Sequence, residues 1–306
     1  MQHTSYILMI QPVNFDFNSE TAVNNRFQAR SGDDNKQAKA LAEFTHFVAL
    51  LRQSGIDVTV VEDSPEPHTP DSVFPNNWIS LHEDGTLVLY PMFAENRRQE
   101  RKQQVLERLQ ERFTISKTID LTHFEKEHLY LEGTGSMVLD REHKIVYACI
   151  SPRTDENVLA TFCKRTGYQP LSFVAVDQAG VPIYHTNVMM CVADRYAVIC
   201  LDVIPDKDDR QELLDSFRQN HKEIIPISRE QMNQFAGNML QVHNQQGVTY
   251  LVMSTQAYVS LSREQVEAIE KHNPILHADI GTIEANGGGS ARCMMAEIFL
   301  PVKAHH

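Results

Sequence analysis

Apolar positions along this chain follow two spacings that take turns. Within residues 38–54, Leu41, Phe44, Val48 and Leu51 share one helical face, and Gly55 supplies the stop. Residues 56–61 then read as a buried strand. Residues 78–90 form a hairpin turning at Asp84-Gly85, followed by a charged helix over 95–113 with Val105, Leu106 and Leu109 as its apolar stripe. The order returns three times. Hairpin 136–150 turns at 140–144 and precedes helix 154–165. Hairpin 188–204 turns at 193–195 and precedes helix 209–220. Hairpin 239–253 turns at 244–247 and precedes helix 262–272. A fifth unit is split, with 292–301 expected to pair with 5–12.

The residues that open these hairpins are Asn77, Glu132, His185, Asn238 and Cys293, separated by 55, 53, 53 and 55 positions. A near-constant period means one supersecondary unit used repeatedly. Five hairpin–helix–strand units fill residues 1–306, so the expected organisation is one α/β domain, a five-bladed pseudo-symmetric propeller whose first and last segments complete one blade. Arranged about an axis, the five opening positions meet at one end of a central channel. That ring contains a cysteine, a histidine and a carboxylate, the parts of a nucleophilic site.

Charge and composition narrow the picture. Lys and Arg number 28 against 40 Asp and Glu, a net charge of −12, which argues against a general nucleic-acid binder. No apolar run approaches the roughly 20 residues of a membrane span, and no basic-then-apolar leader opens the chain. The five cysteines are odd in number and irregular in spacing, which points to a reducing cytoplasm rather than a disulfide framework. No metal or organic cofactor is expected. Pairs such as His185/Cys191 or His272/His277 are weak metal ligand sets by spacing. A small-molecule partner and a homodimer fit the class. Residues 14–35 are long and polar and read as a surface-packed or disordered loop, with a lid as the alternative. The terminal His305-His306 reads as native or as a tag remnant.

Three residues carry candidate chemistry. Cys293 follows Asn286-Gly287-Gly288-Gly289-Ser290-Ala291-Arg292, whose glycines allow close backbone approach and expose N–H groups to a thiolate or an oxyanion. A buried structural cysteine is the alternative. His185 is one of 14 histidines and is singled out by the period alone. Glu132 follows apolar Leu129, Tyr130 and Leu131, where a carboxylate needs a partner. Cys149, Cys163, Cys191 and Cys200 sit in element patterns and read as core.

These motifs resemble the guanidino-group-modifying superfamily of arginine deiminases, dimethylarginine dimethylaminohydrolases and amidinotransferases. The resemblance runs from about Ser5 to Pro301. It is most specific at Gly287-Gly288-Gly289-Ser290-Ala291-Arg292-Cys293-Met294, and it is strongest towards the citrulline-utilisation hydrolase branch. It implies a pentein-like five-bladed fold, with Cys293 as nucleophile, His185 as general acid/base and Glu132 as catalytic carboxylate. It further implies that Arg153, in Ser151-Pro152-Arg153-Thr154, and Arg97 bind a substrate carboxylate, and that Asp71 contacts substrate. The departures carry information. Asn76, Asn77 and Asn187 stand where relatives carry acids, and Glu132-Gly133-Thr134-Gly135 replaces Glu-Gly-Gly-Asp. A guanidinium needs paired anions, whereas a neutral ureido group needs donors and acceptors that asparagine supplies. The expected activity is therefore hydrolysis of citrulline to ornithine. Arginine deiminase or dimethylarginine-type hydrolase, amidinotransferase, and non-catalytic binding protein are the alternatives.

Overall fold

The computed structural model describes residues 1–30, 32 and 34–304. The His305-His306 pair lies outside them. The described residues build five three-stranded sheets of one pattern, in which the middle strand pairs antiparallel with one neighbour and parallel with the other. Strand β1 (Tyr6–Gln11) runs parallel to β2 (Asp57–Glu62). Strands β3 (Ile79–Leu81), β4 (Thr86–Leu89) and β5 (Lys117–Asp120) make the second sheet. The third comprises β6 (Val138–Asp140), β7 (Ile145–Cys149) and β8 (Gln169–Phe173). The fourth comprises β9 (Met190–Val192), β10 (Tyr196–Ile199) and β11 (Glu223–Pro226). The fifth comprises β12 (Leu240–His243), β13 (Thr249–Ser254) and β14 (Ile275–Ala278). Finally β15 (Ala296–Glu297) returns to β1, with Ile7 opposite Glu297 and Leu8 opposite Ala296. The pairing expected between the chain's two ends therefore forms, over fewer residues than the hydrophobic run suggests.

Each parallel third strand needs a crossover, and a helix supplies it. Lys36–Gln53 buries Phe44, Phe47, Val48 and Leu51, each contributing about 1.5–3 kcal/mol by leaving water. Glu156–Thr166 is capped by Asp155, whose side chain accepts from the Asn157 and Val158 amides, and it ends at Gly167 in the left-handed region. Lys207–Gln219 and Arg263–Glu270 follow the same plan, capped by Asp206 and Ser262. The helix expected over 95–113 is corrected. It divides into Glu95–Arg98 and Gln103–Arg112, because Arg97 and Glu100 both turn inward as a buried ion pair.

The apolar side chains of neighbouring sheets merge into shared clusters. Leu8 and Ile10 of the first sheet pack with Ile79 and Leu87 of the second. Val88 of the second packs with Val146 of the third. Tyr147, Val198 and Leu251 join the third, fourth and fifth. Val242 and Val252 of the fifth return to Ile7 and Met9 of the first. The chain of contacts thus closes on itself.

Candidate active site

A short helical turn precedes several hairpins, and these turns bring the periodic positions together. Pro75–Asn77, Gly133–Ser136 and Thr186–Met189 are one-turn helices, with Glu132 and His185 at the N-caps of the latter two. Sequence periodicity had no means of finding such short elements, since one turn shows no repeat.

Cys293 is 4% exposed and sits where the glycine segment meets the last hairpin half. Its Sγ lies 3.2 Å from Asn238 Nδ2 and 3.4 Å from Asn187 Nδ2. Three amides of the segment before the sulfur are committed within the protein. The Gly288 amide donates to Glu284 O, the Arg292 amide to Asn238 Oδ1 and the Cys293 amide to Ser290 O. Gly287 allows the close packing here, since a Cβ would stand 2.7 Å from the Phe74 ring. Burial pushes the thiols of Cys149 and Cys191 up to about 12 and those of Cys163 and Cys200 up to about 11, so these four stay protonated core residues.

Glu132 and His185 are fully enclosed and bonded at 2.7 Å through His185 Nε2. A carboxylate partner assigns the proton to Nε2 and leaves Nδ1 as an acceptor. Burial opposes the Glu132 charge, but Arg153 at 3.5 Å and the His185 bond outweigh it and hold the carboxyl well below its usual range. Its other oxygen accepts from the Phe93 amide at 2.9 Å. Burial pushes His185 down to about 4 despite the Glu132 bond, which pulls it up. At neutral pH the pair is therefore a carboxylate and a neutral imidazole, with Arg153 as counterion.

Gly135 keeps this ring in place by what it lacks. A Cβ there would stand 2.7 Å from His185 Nδ1 and 2.4 Å from Asn77 Nδ2. Gly135→Ala is therefore expected to displace both side chains. Turnover should fall about a hundredfold or more, with a stability loss of about 1–3 kcal/mol. Steady-state kinetics and a melting curve on the same sample check this, and normal turnover would show that the ring tolerates displacement.

Asn77 and the two arginines join the cluster. Asn77 Oδ1 accepts from Arg97 at 2.7 Å, and Asn77 Nδ2 donates to Asn76 Oδ1 at 3.1 Å. Asn76 stands behind Asn77 and does not line the cavity beside Cys293. Arg97 forks onto Glu100 at 2.8 and 3.0 Å, and its Nε is 3.9 Å from Asp71. Burial raises Glu100 to about 7 and also raises Asp71, each opposed chiefly by Arg97.

Within residues 14–35, two of which lie outside the described set, the stretch from Asn18 to Asn25 covers this cluster. Asn18 Nδ2 and Thr21 Oγ1 bond Asp71 Oδ2 at 2.8 and 3.0 Å. Asn24 Oδ1 accepts from Arg153 Nε at 2.8 Å, and Thr21 O from Arg153 Nη2 at 2.8 Å. Asn25 reaches Gly288 O at 3.2 Å. The reading of this segment as a packed loop holds, but it packs on the site. The cavity among Asp71, Asn77, Arg97, Arg153, His185 and Cys293 has free space of about 10 Å³, room for about one water.

The sequence reading named Asn238 as a periodic position but not as a site residue, although its register with Cys293 was the available signal. The weak metal pairs go elsewhere. His272 bonds Glu223 and His277 bonds Thr255. Among the described residues, no group of three or more His, Cys, Asp or Glu is placed to hold a metal ion, and no helix is long and apolar enough to cross a membrane.

The profile of the family described as N,N dimethylarginine dimethylhydrolase, eukaryotic, matches residues 11–300. The chain belongs to this family. It is thereby a member of the guanidino-group-modifying hydrolases, enzymes of amidine C–N bonds. No curated protein matches the chain in sequence. Among solved structures, the N-terminal domain of ArgZ covalently bound to a reaction intermediate is similar at a TM-score of 0.75 and 18% identity, covering 97% of this chain and 98% of that one. Full-length ArgZ, an arginine dihydrolase from the cyanobacterial ornithine–ammonia cycle, is spanned over only 41% of its length. A dimethylarginine dimethylaminohydrolase adduct is similar at a TM-score of 0.66 and 17% identity, covering 97% and 100%. At these identities the likeness shows a shared α/β fold.

Proposed function

We propose that this family member is a cysteine-dependent hydrolase of a ureido or guanidino amino acid, with citrulline as the favoured substrate and ornithine, ammonia and carbon dioxide as products. One observation carries the reading. The Cys293 sulfur stands between two neutral carboxamides, and the carboxylate at that end, Glu132, is already neutralised by Arg153. A cationic guanidinium would enter without a free anion facing it, whereas a ureido group would find amide donors and acceptors. Asn187 Oδ1 is buried with no hydrogen-bond partner among the described residues; Asn187 lies outside the walls of the cavity beside Cys293, so a substrate N–H reaches it only once the site opens. The closed run of shared apolar clusters supports five blades about one axis, with the whole chain as one catalytic domain.

In this mechanism His185 Nδ1 takes the Cys293 thiol proton, because Nε2 is committed to Glu132. The thiolate attacks the ureido carbon. His185 returns the proton to the departing δ-nitrogen, releasing ornithine and leaving an S-carbamoyl group on Cys293. Water, deprotonated by His185, releases carbamic acid, which yields ammonia and carbon dioxide. The free cavity of about 10 Å³ does not hold an amino acid, so residues 14–35 must open. Substrate ammonium and carboxylate then replace Asn18, Thr21 and Asn24 on Asp71 and Arg153. Arg97, forked onto Glu100, keeps Asn77 in place while contributing positive charge to the carboxylate side.

Arginine is the second reading, favoured by Asp71 in the wall and by the arginine dihydrolase and dimethylarginine enzymes among the structural neighbours. With arginine, His185 would instead return the proton to a terminal nitrogen, ammonia would leave, and water would resolve the thiouronium on Cys293 to citrulline. Asn77→Asp and Asn187→Asp are expected to move the citrulline-to-arginine ratio of kcat/KM towards arginine by about tenfold or more. An unchanged ratio in both variants would remove the charge argument. Product formation without an acceptor amine separates hydrolysis from amidino transfer.

A further inference from the structure

Asn238 is fully buried, and every part of its carboxamide is engaged. Its Oδ1 accepts the backbone N–H of Arg292, the residue before Cys293, at 3.0 Å. That donor fixes the amide's orientation, because the opposite flip would set N–H against N–H. The Nδ2 group therefore faces the other way. One of its hydrogens goes to Asn187 O at 3.0 Å and the other to Cys293 Sγ at 3.2 Å.

Asn187 differs. Its Nδ2 also reaches the sulfur, at 3.4 Å, but among the described residues its Oδ1 has no hydrogen-bond partner. One amide is locked by the protein on all sides, while its neighbour keeps an acceptor for another molecule. The sulfur is nearly enclosed, so a negative charge on it has little water to lean on, and hydrogen bonds to a charged group in such surroundings are the strong ones. The Gly288, Arg292 and Cys293 amides bond within the protein, as described above.

From this arrangement we infer that Asn238 is a catalytic residue whose fixed Nδ2–H donates to the Cys293 thiolate and sustains it before attack. Asn187 is the adaptable partner that turns to substrate. The inference rests on the reading of Cys293 as the nucleophile and adds the group that keeps the nucleophile charged.

The test is alkylation of Cys293 by iodoacetamide, followed by mass spectrometry of the peptide carrying Cys293 at pH 7 and pH 10. The variants are Asn238→Asp, which keeps the acceptor for Arg292 N–H and removes the donor, and Asn238→Ala. Both should alkylate about tenfold or more slowly than wild type at pH 7, the size expected for losing one hydrogen bond to a charged group. The difference should be smaller at pH 10 than at pH 7, because higher pH favours the thiolate in every variant. A purely structural role would instead slow or speed alkylation equally at both pH values. Equal rates for wild type and Asn238→Asp at pH 7, or a deficit that persists at pH 10, would overturn the inference. If Asn238→Ala fails to fold, the near-isosteric Asn238→Asp alone decides. The readout needs no turnover, so it stands apart from the parent reading. Undiminished hydrolysis by Cys293→Ser would defeat the nucleophile assignment, whereas wild-type alkylation of Asn238→Asp beside an inactive Cys293→Ser would defeat this inference alone.

Discussion

Cys293→Ser is expected to lose turnover by about 10⁴-fold or more while keeping its fold. The hydroxyl is a far weaker nucleophile than a thiolate, and the neutral His185 held by Glu132 does not make up that difference. The substitution changes one atom, and the Asn187 and Asn238 amides that face Sγ can donate to Oγ instead, so stability should stay within about 1 kcal/mol of wild type. Substrate binding should survive, seen as a ligand-dependent rise in melting temperature. Turnover near the wild-type rate would end the covalent mechanism.

Glu132→Gln is expected to cost both catalysis and stability. The carboxylate fixes the His185 tautomer, and loss of the corresponding orienting group in a Ser-His-Asp triad costs about 10⁴ in kcat. A glutamine amide turned towards Nε2 would reverse the tautomer and present N–H where the thiol proton must go. Arg153 would keep Asn24 and Thr21 O but lose its anion, and an unpaired buried charge costs about 3–5 kcal/mol. Because the Glu132 carboxyl is held below its unfolded value of about 4.3, its contribution is complete above that pH and disappears as pH falls through the folded value. The stability gap between wild type and Glu132→Gln should therefore be constant from pH 6 to 8 and narrow below about pH 4. Denaturant titrations across that range check it. A gap that widens on acidification would mean that Glu132 is not the charged partner of Arg153.

The repeat was legible because each unit carries the same hydrophobic order. Four hairpins fall within a few residues of their expected places, and the spacing of Glu132, His185 and Cys293 marks residues that the fold gathers into one cluster. Other features had no local signature. The inward turn of Arg97 and Glu100 inside a charged stretch depends on Asp71 and Asn77, far away in sequence, so helical periodicity ran through the break. The packing of residues 14–35 over the site is a set of polar bonds to Asp71, Arg153 and Gly288, which hydrophobic patterning does not register. Asn238 occupied the right register, but an asparagine declares no chemistry until its partners are seen.

In the proposed function the reactive end is built for a neutral ureido group. The most direct measurement incubates the purified protein with citrulline and, separately, arginine, with no acceptor amine, and quantifies ornithine, citrulline and ammonia beside Cys293→Ser. The expected result is ornithine and ammonia in equal amounts from citrulline, a higher kcat/KM for citrulline than for arginine, and neither product from the variant. Citrulline accumulating from arginine with no ornithine from citrulline would contradict it and make the enzyme a deiminase.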